Sequence, residues 1–155
     1  MEFSRDALAK NGFVGFVTWT DLAWDDIPSQ PGVYVVVREN PNPPEILNRN
    51  PAGGHKGRDP TVNRQTLQAA WVDGCPVLYI GKASRLRTRL QQYRDHGKGK
   101  PVGHWGGRYI WQLKDSRDLR IAWKVTPEDP RSIEQEMLAA FLECYGRLPF
   151  ANLRR

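Results

Sequence analysis

Two tyrosine-containing tripeptides are the residues of this chain that could move a proton beside a bound anion. Gly32-Val33-Tyr34 and Tyr79-Ile80-Gly81 each place a phenol and a glycine at the edge of a short apolar stretch, a pattern typical of a β-strand. The second tripeptide continues into the basic run from Lys82 to Arg89. Arginine binds phosphate oxygens through paired N–H groups, and a positioned phenol can transfer a proton. The sequence therefore predicts a sheet edge where a phosphate is held and a proton is moved.

The tyrosines need a sheet to position them, and several apolar runs are candidates for its strands. Val33–Val37 and Val77–Ile80 carry the two phenols, and Phe13–Trp19 is also apolar and β-branched. Two later candidates are Arg108–Leu113 and Leu119–Val125. We therefore expect an α/β (α+β) domain with a small mixed or antiparallel sheet flanked by helices.

The segment after the second tyrosine strand reads as an amphipathic helix over Ser84–Arg94. Leu86 and Leu90 stand four residues apart, which suits packing against a sheet. A second stripe at steps of four runs beside the leucines and consists of Arg85, Arg89 and Tyr93. One helix is thus expected to supply core contacts and site residues together.

The last predicted helix places one carboxylate in an unusual position. It begins after the N-cap Asp129 and runs to Tyr145, before the helix-ending Gly146. At about 100° per residue, Glu134 falls within the apolar arc, whereas Glu136 falls on the polar side. A carboxylate on a packed face needs a cation or hydrogen bonds. Glu134 is therefore a candidate ligand; the alternative is a partly buried acid that a neighbouring arginine satisfies.

Composition favours one domain with a polyanionic partner. The chain has 155 residues and a formal charge of +6, which we interpret as a single domain with an N-terminal extension over residues 1–30. Between Lys82 and Lys100 the only acid is Asp95. Cys75 and Cys144 lack the paired spacing of a zinc or redox site, so reduced thiols are expected. No export signal or spanning segment is evident, and a cytoplasmic protein without membrane contact is expected.

Residues 39–75 read as an insertion between the two tyrosine strands. The segment is rich in proline and glycine and is long for a connection between neighbouring strands. A short helix is predicted over Asn63–Trp71. We interpret the insertion as a flap that contacts substrate through four cations, with a packing role as the alternative. These cations are Arg49, Lys56, Arg58 and Arg64.

The ordered set of residues resembles the GIY-YIG nuclease family. That family includes domains of homing endonucleases, some restriction enzymes and the amino-terminal nuclease domain of a bacterial excision-repair enzyme. The resemblance spans Gly32 to Asn152 in the order GVY, YIGKA, Arg, Glu, Asn, and it is most specific over Val77 to Tyr93. The chain departs from the family in the 44 residues, Val35 to Leu78, that separate the tyrosines. The resemblance implies a three-stranded central sheet and a divalent-metal-dependent endonuclease acting on DNA.

The resemblance also implies roles for the site residues. Tyr34 would be the general base, aided by Tyr79, with Lys82 lowering the phenol pKa from about 10. Arg89 would clamp the scissile phosphate, and Tyr93 would donate a further hydrogen bond.

A metal ion and its support complete the implied site. One Mg²⁺ or Mn²⁺, held by Glu134 and by water, would neutralise the leaving oxygen. Glu136 is the competing acid, but its flanking residues match the family less well. Asn152 would position this assembly; the alternative is a simple turn or cap residue.

The predicted nucleic-acid contacts come from the basic helix and the loops around it. Arg87 lies on another side of the helix from Arg89, so a plain surface arginine is its alternative. The sequence does not separate DNA from RNA, and specificity is expected either to be low or to come from a partner protein or a homodimer. The rival prediction is a catalytically silent binding module, or a subunit of a DNA repair or restriction assembly. The predicted contacts are Arg58, Arg85, Arg87, Arg94, Lys98, Lys100 and His104.

Overall fold

A four-stranded antiparallel sheet forms the centre of the molecule. The computed structural model describes residues 1–54, 57–101 and 107–153. The strand order is β1-β4-β2-β3, and every neighbouring pair is antiparallel. The expected α+β class is confirmed, and the sheet has one strand more than the three that were expected. The strands are β1 (Val14–Val17), β2 (Gly32–Val37), β3 (Val77–Ala83) and β4 (Arg120–Val125).

Helices cover both faces of the sheet. β2 is central and buried along its whole length, as its uninterrupted apolar sequence predicts. Its odd-numbered valines pack with α1 and α5, and its even-numbered residues, Tyr34 and Val36, pack with α3 and α4. Within the described part of the chain, no helix has the length and apolarity needed to cross a membrane. The helices are α1 (Arg5–Lys10), α2 (Arg64–Ala70), α3 (Leu86–Gly97), α4 (Arg108–Trp111) and α5 (Pro130–Tyr145).

The ends of α5 follow from its sequence. The side chain of Asp129 accepts a hydrogen bond from the backbone N–H of Arg131 at 3.2 Å, which satisfies one of the exposed donors of the first turn. Gly146 ends the helix with φ 72°, a left-handed conformation that glycine adopts without a Cβ clash. Both predicted ends are confirmed, so the position of Glu134 on the helix is fixed.

The predicted strand Arg108–Leu113 is wrong, because its first residues form α4. Ile110 and Leu113 are both fully buried at a spacing of three, and Leu113 N–H donates to the carbonyl of Ile110 at 3.1 Å. A short apolar run does not distinguish helix from strand by periodicity. The ring of Trp111 lies where a Cβ on Gly97 would be, so α4 packs closely against α3.

Side-chain hydrogen bonds attach the described parts of the insertion to the body of the protein. Gln112, fully buried after α4, donates to the carbonyls of Leu47 at 2.9 Å and Val62 at 2.7 Å. Its side-chain oxygen accepts from Val62 N–H at 2.8 Å. At the start of the insertion, the Nε of Arg38 pairs with Asp115 at 2.8 Å. Two separate parts of the insertion are therefore joined through one side chain.

Replacing Gln112 tests this attachment. Gln112→Ala leaves two carbonyls and one N–H without their partner, and we expect it to lower the free energy of unfolding by about 3 kcal/mol. Urea denaturation measures the change. The exposed Gln68→Ala on α2 is the matched control and should change stability by less than about 0.5 kcal/mol. Equal stability of the two variants would show that the insertion does not depend on Gln112.

Candidate active site

Strand register brings the signature tyrosines together. Tyr34 of β2 pairs with Gly81 of β3, and Tyr79 precedes Gly81 by two residues on the same face. The two tyrosine rings lie 5.8 Å apart, and Tyr93 of α3 lies 6.4 Å from Tyr34 and 6.0 Å from Tyr79. A Cβ on Gly81 would overlap the Tyr34 ring. The glycine of the second tripeptide is therefore required by the tyrosine of the first.

Arg89 joins this cluster from the first turns of α3. It donates a hydrogen bond to Tyr34, which in turn donates to Tyr79. Arg89 also donates from Nη1 to the side chain of Gln92 at 3.0 Å. The result is an ordered chain of hydrogen bonds that begins at a guanidinium and ends at the phenol oxygen of Tyr79.

Burial sets the protonation of the phenols. Desolvation raises the pKa of Tyr34 and of Tyr93 well above 10, and the charge of Tyr79 adds to it. Burial also raises the pKa of Tyr79, against the hydrogen bond from Tyr34 and the charge of Arg89, which lower it. The expectation that Lys82 lowers the pKa of Tyr34 is wrong: Tyr34 is fully buried, and the cation that acts on it is Arg89.

A cleft of about 1140 Å³ opens beside the tyrosine cluster. Tyr79 and Asn152 line it, whereas Tyr34 and Tyr93 lie in the core beneath. Its acidic lining residues, among those that the structure describes, are Asp129 and Glu134. Positive side chains outnumber these two, so the cleft suits an anionic ligand. The basic lining residues in the same ranges are Lys82, Arg85, Arg89, Arg108 and Arg131.

Glu134 faces this cleft from α5. Its carboxylate pairs with Lys82 Nζ at 3.5 Å, with the Glu134 side chain 12% exposed and that of Lys82 47% exposed. The cation that accompanies the partly buried acid is thus a lysine of β3. Because the lysine is half-exposed, this pair contributes little to stability.

The donor set at Glu134 fits a magnesium-like ion. No group of three or more His, Cys, Asp or Glu side chains is arranged to hold a metal within residues 1–54, 57–101 and 107–153. Mg²⁺ commonly takes one or two carboxylates and retains water and substrate oxygens as its other ligands. A single carboxylate at the wall of a large cleft meets that requirement.

Asn152 holds the open edge of β3. Its Nδ2 donates to the carbonyl of Ile80 at 2.9 Å, and its Oδ1 accepts from the Ile80 N–H at 3.0 Å. Ala151 N–H donates to the carbonyl of Leu78 at 2.8 Å. β3 is an edge strand, so these groups would otherwise have no strand partner. Asn152 therefore binds both backbone groups of Ile80, the residue next to Tyr79, and so supports the strand that carries Tyr79.

The predicted nucleic-acid contacts divide into two groups. Arg85 lines the cleft. Arg87 instead donates to the carbonyl of Ile27 at 2.8 Å, and Arg94 pairs with Asp95 and stacks over Trp24 at 4.3 Å. Arg87 and Arg94 thus serve packing around α3 and are not among the described residues that line the cleft; their contact with nucleic acid stays a prediction.

The remaining predicted contacts lie away from the cleft or outside the described residues. Lys98 and Lys100 follow the C-terminal end of α3, whereas its first turns line the cleft. Arg58 is exposed and close enough to Arg108 for its charge to act on it. His104 and Lys56 lie outside the described residues.

Sequence reasoning missed Arg108 and Arg131. Arg108 belongs to the segment that reads as a strand, so its place at the cleft depends on α4. Arg131 precedes Glu134 by three residues, and this helical spacing is a signal that could have placed both on one face.

Comparison of the chain with protein-family models, with curated proteins and with solved structures finds no match.

The pKa shift of Tyr34 gives a testable dependence of stability on pH. The buried phenol stays protonated above pH 10, where the unfolded phenol ionises, so stability is full below about pH 10 and falls as pH rises. Between the pKa of the unfolded chain and that of the folded chain, each such phenol lowers the free energy of unfolding by about 1.4 kcal/mol per pH unit. Urea unfolding from about pH 8 to about pH 11 should therefore show a weaker pH dependence in Tyr34→Phe than in the wild type.

The low-pH arm of the same experiment is the control. Below about pH 9 the Tyr34 phenol is neutral in the folded and in the unfolded chain, so the difference between Tyr34→Phe and wild type should not change with pH. Parallel curves over the whole range would contradict the raised pKa of Tyr34.

Proposed function

We propose that the protein is a divalent-metal-dependent endonuclease of the GIY-YIG type that hydrolyses DNA phosphodiester bonds. The observation that supports this most is the shared cleft. Arg89, Tyr79 and Glu134 come from three different elements and line one basic cavity, where phosphate binding, proton transfer and metal binding each have a residue. The resemblance of the sequence over Gly32 to Asn152 points to the same chemistry.

Phosphate binding is the role of Arg89 in this proposal. A guanidinium offers paired N–H donors that match two phosphate oxygens. Its hydrogen bonds to Tyr34 and Gln92 hold the side chain in place before a substrate arrives. Phosphoryl transfer depends mainly on such positioning and on stabilising charge on the equatorial oxygens.

Tyr79 is the phenol that can accept a proton from water at the cleft. It lines the cavity, whereas Tyr34 is fully buried, so we assign the general-base role to Tyr79 and a supporting role to Tyr34. The hydrogen bond from Tyr34 and the charge of Arg89 both lower the pKa of Tyr79, and both therefore favour its phenolate. The burial that raises this pKa opposes them, so base catalysis is expected to strengthen toward alkaline pH.

Glu134 would hold Mg²⁺ or Mn²⁺ in the same cleft. When bound, such an ion supplies positive charge to the leaving oxygen. Lys82 lies 3.5 Å from the carboxylate and would yield that position to the ion while remaining near the phosphate. Asn152 holds Ile80, next to Tyr79, at the edge of the sheet.

A binding module without turnover is the second candidate, and two observations favour it. The pKa of each signature tyrosine is raised, which keeps the phenols neutral near pH 7. The candidate metal ligand is already paired with Lys82. This candidate requires DNA binding that falls steeply with salt and no cleavage at any metal concentration.

Nicking of supercoiled plasmid and cleavage of 5′-labelled branched oligonucleotides test the proposal. We expect cleavage with Mg²⁺ or Mn²⁺, none with EDTA, and a loss of at least about 100-fold in Glu134→Gln and in Arg89→Ala. The matched control is Glu136→Gln, an exposed carboxylate on the same helix, which should retain wild-type activity. Wild-type cleavage by Glu134→Gln would refute this site, and binding without cleavage by the wild type would favour the silent module.

A pair of phenylalanine variants separates the two tyrosines. Tyr79→Phe removes the proposed base and should lower kcat by about 100-fold or more. Tyr34→Phe removes a hydrogen bond to that base and the one that Tyr34 accepts from Arg89 but leaves the base itself, and we expect a smaller loss of about tenfold. The pH–rate profile should also shift to higher pH in Tyr34→Phe, because the pKa of Tyr79 loses a lowering influence. A larger loss in Tyr34→Phe than in Tyr79→Phe would reverse the assignment.

A further inference from the structure

Arg108, a cation that lines the cleft, lies near a cation of the insertion. Arg108 at the start of α4 lines the cavity that contains Arg89. Arg58, from the insertion, is close enough for its positive charge to lower the pKa of Arg108, after burial as the larger cause. Like charges repel, so an anion that contacts both guanidinium groups would offset this repulsion.

Hydrogen bonds hold the two arginine-bearing segments against each other. Asn50 of the insertion donates from Nδ2 to the carbonyl of Arg108 at 2.6 Å and to the carbonyl of Pro60 at 3.2 Å. Its own N–H donates to Thr61 Oγ1 at 3.0 Å. Pro60 is two residues from Arg58, so one asparagine connects the backbone near both cations. The backbone segments that carry the two cations are therefore held next to each other.

Packing of the aromatic ring beside Arg108 fixes that part of α4 further. The guanidinium of Arg108 lies 5.5 Å from the ring of Tyr109, which contacts Phe150 at 5.6 Å. Phe150 is buried and directly precedes Ala151, whose N–H binds β3. Arg108 is thus held on the same framework that holds the edge strand and Tyr79.

We propose that Arg58 and Arg108 form a second phosphate-binding subsite. It binds a phosphate that flanks, on the same nucleic-acid strand, the phosphate held by Arg89. The inference rests on the proposed function. It adds that the ligand is a strand with repeated phosphates, because two separate guanidinium sites suit such a ligand better than one with a single phosphate. It also gives the insertion a role in substrate binding through one cation rather than through a mobile flap.

The other cations of the insertion do not share this position. Arg49 and Arg64 are exposed, and the insertion charge that acts on the pKa of Arg108 is that of Arg58 and not theirs. Arg64 donates instead to Asn48 at 3.4 Å. These two arginines therefore provide a control with the same change in net charge.

Binding of a fluorescein-labelled duplex, measured by anisotropy in EDTA over a series of salt concentrations, tests the subsite without cleavage. We expect the double variant Arg58→Gln/Arg108→Gln to raise Kd by roughly tenfold or more and to reduce the slope of log K against log salt by about 1. The control Arg49→Gln/Arg64→Gln should keep the wild-type slope and lose much less affinity. Asn50→Ala, which keeps every charge, should weaken binding in the same direction as the first pair.

The outcomes separate this inference from the proposed function. Equal losses in the two double variants would overturn the subsite, since net charge alone would explain them, and this holds even when the wild type cleaves DNA. A selective loss in Arg58→Gln/Arg108→Gln without cleavage by the wild type would support the subsite and overturn the nuclease. Absence of DNA binding by the wild type would overturn both, and circular dichroism of each variant verifies that it is folded.

Discussion

The close approach of β2 and β3 at one residue pair is the constraint on which the site depends. Tyr34 faces Gly81 across the two strands, and the space that a Cβ would take is filled by the Tyr34 ring. Because antiparallel pairing fixes the register, the same contact places Tyr79 beside Tyr34. A shift of one residue would turn every side chain of β3 to the other face. The two tripeptides are therefore one structural unit, although 44 residues of sequence separate their tyrosines.

This constraint has a chemical consequence. Packing three tyrosines against one sheet removes Tyr34 and Tyr93 from water, and burial favours their neutral forms. Only Tyr79 combines a place in this cluster with a place at the cleft. The buried phenols thus act on Tyr79 through hydrogen bonds and packing. Arg89 is the link, because it acts on all three phenols and also lines the cavity.

Sequence predicted the parts of the site that depend on local periodicity. A short apolar run predicts the strand that carries Tyr79, leucines four residues apart predict the helix that carries Arg89, and cap residues predict the ends of α5. Each of these is confirmed. The position of Arg108 could not be predicted in this way, because it depends on α4 packing against Gly97 of α3. The raised pKa of Tyr34 could not be predicted from the sequence either, because the burial that causes it is a property of the whole fold.

The insertion shows the same division between local and distant causes. Its proline and glycine content predicts an irregular segment. The contacts that attach it, however, come from two polar side chains, Gln112 and Asn50, which lie far in sequence from the groups that they bind. Backbone groups are costly to leave unpaired where water is excluded, so the buried Gln112 and the half-buried Asn50 each hold part of the insertion against α4. The hydrogen bonds of Asn50 keep the backbone at Pro60, two residues from Arg58, next to the helix that bears Arg108. A freely moving loop would have to lose conformational entropy each time a ligand bound, whereas the segments that Gln112 and Asn50 bind are already held by hydrogen bonds in the folded chain.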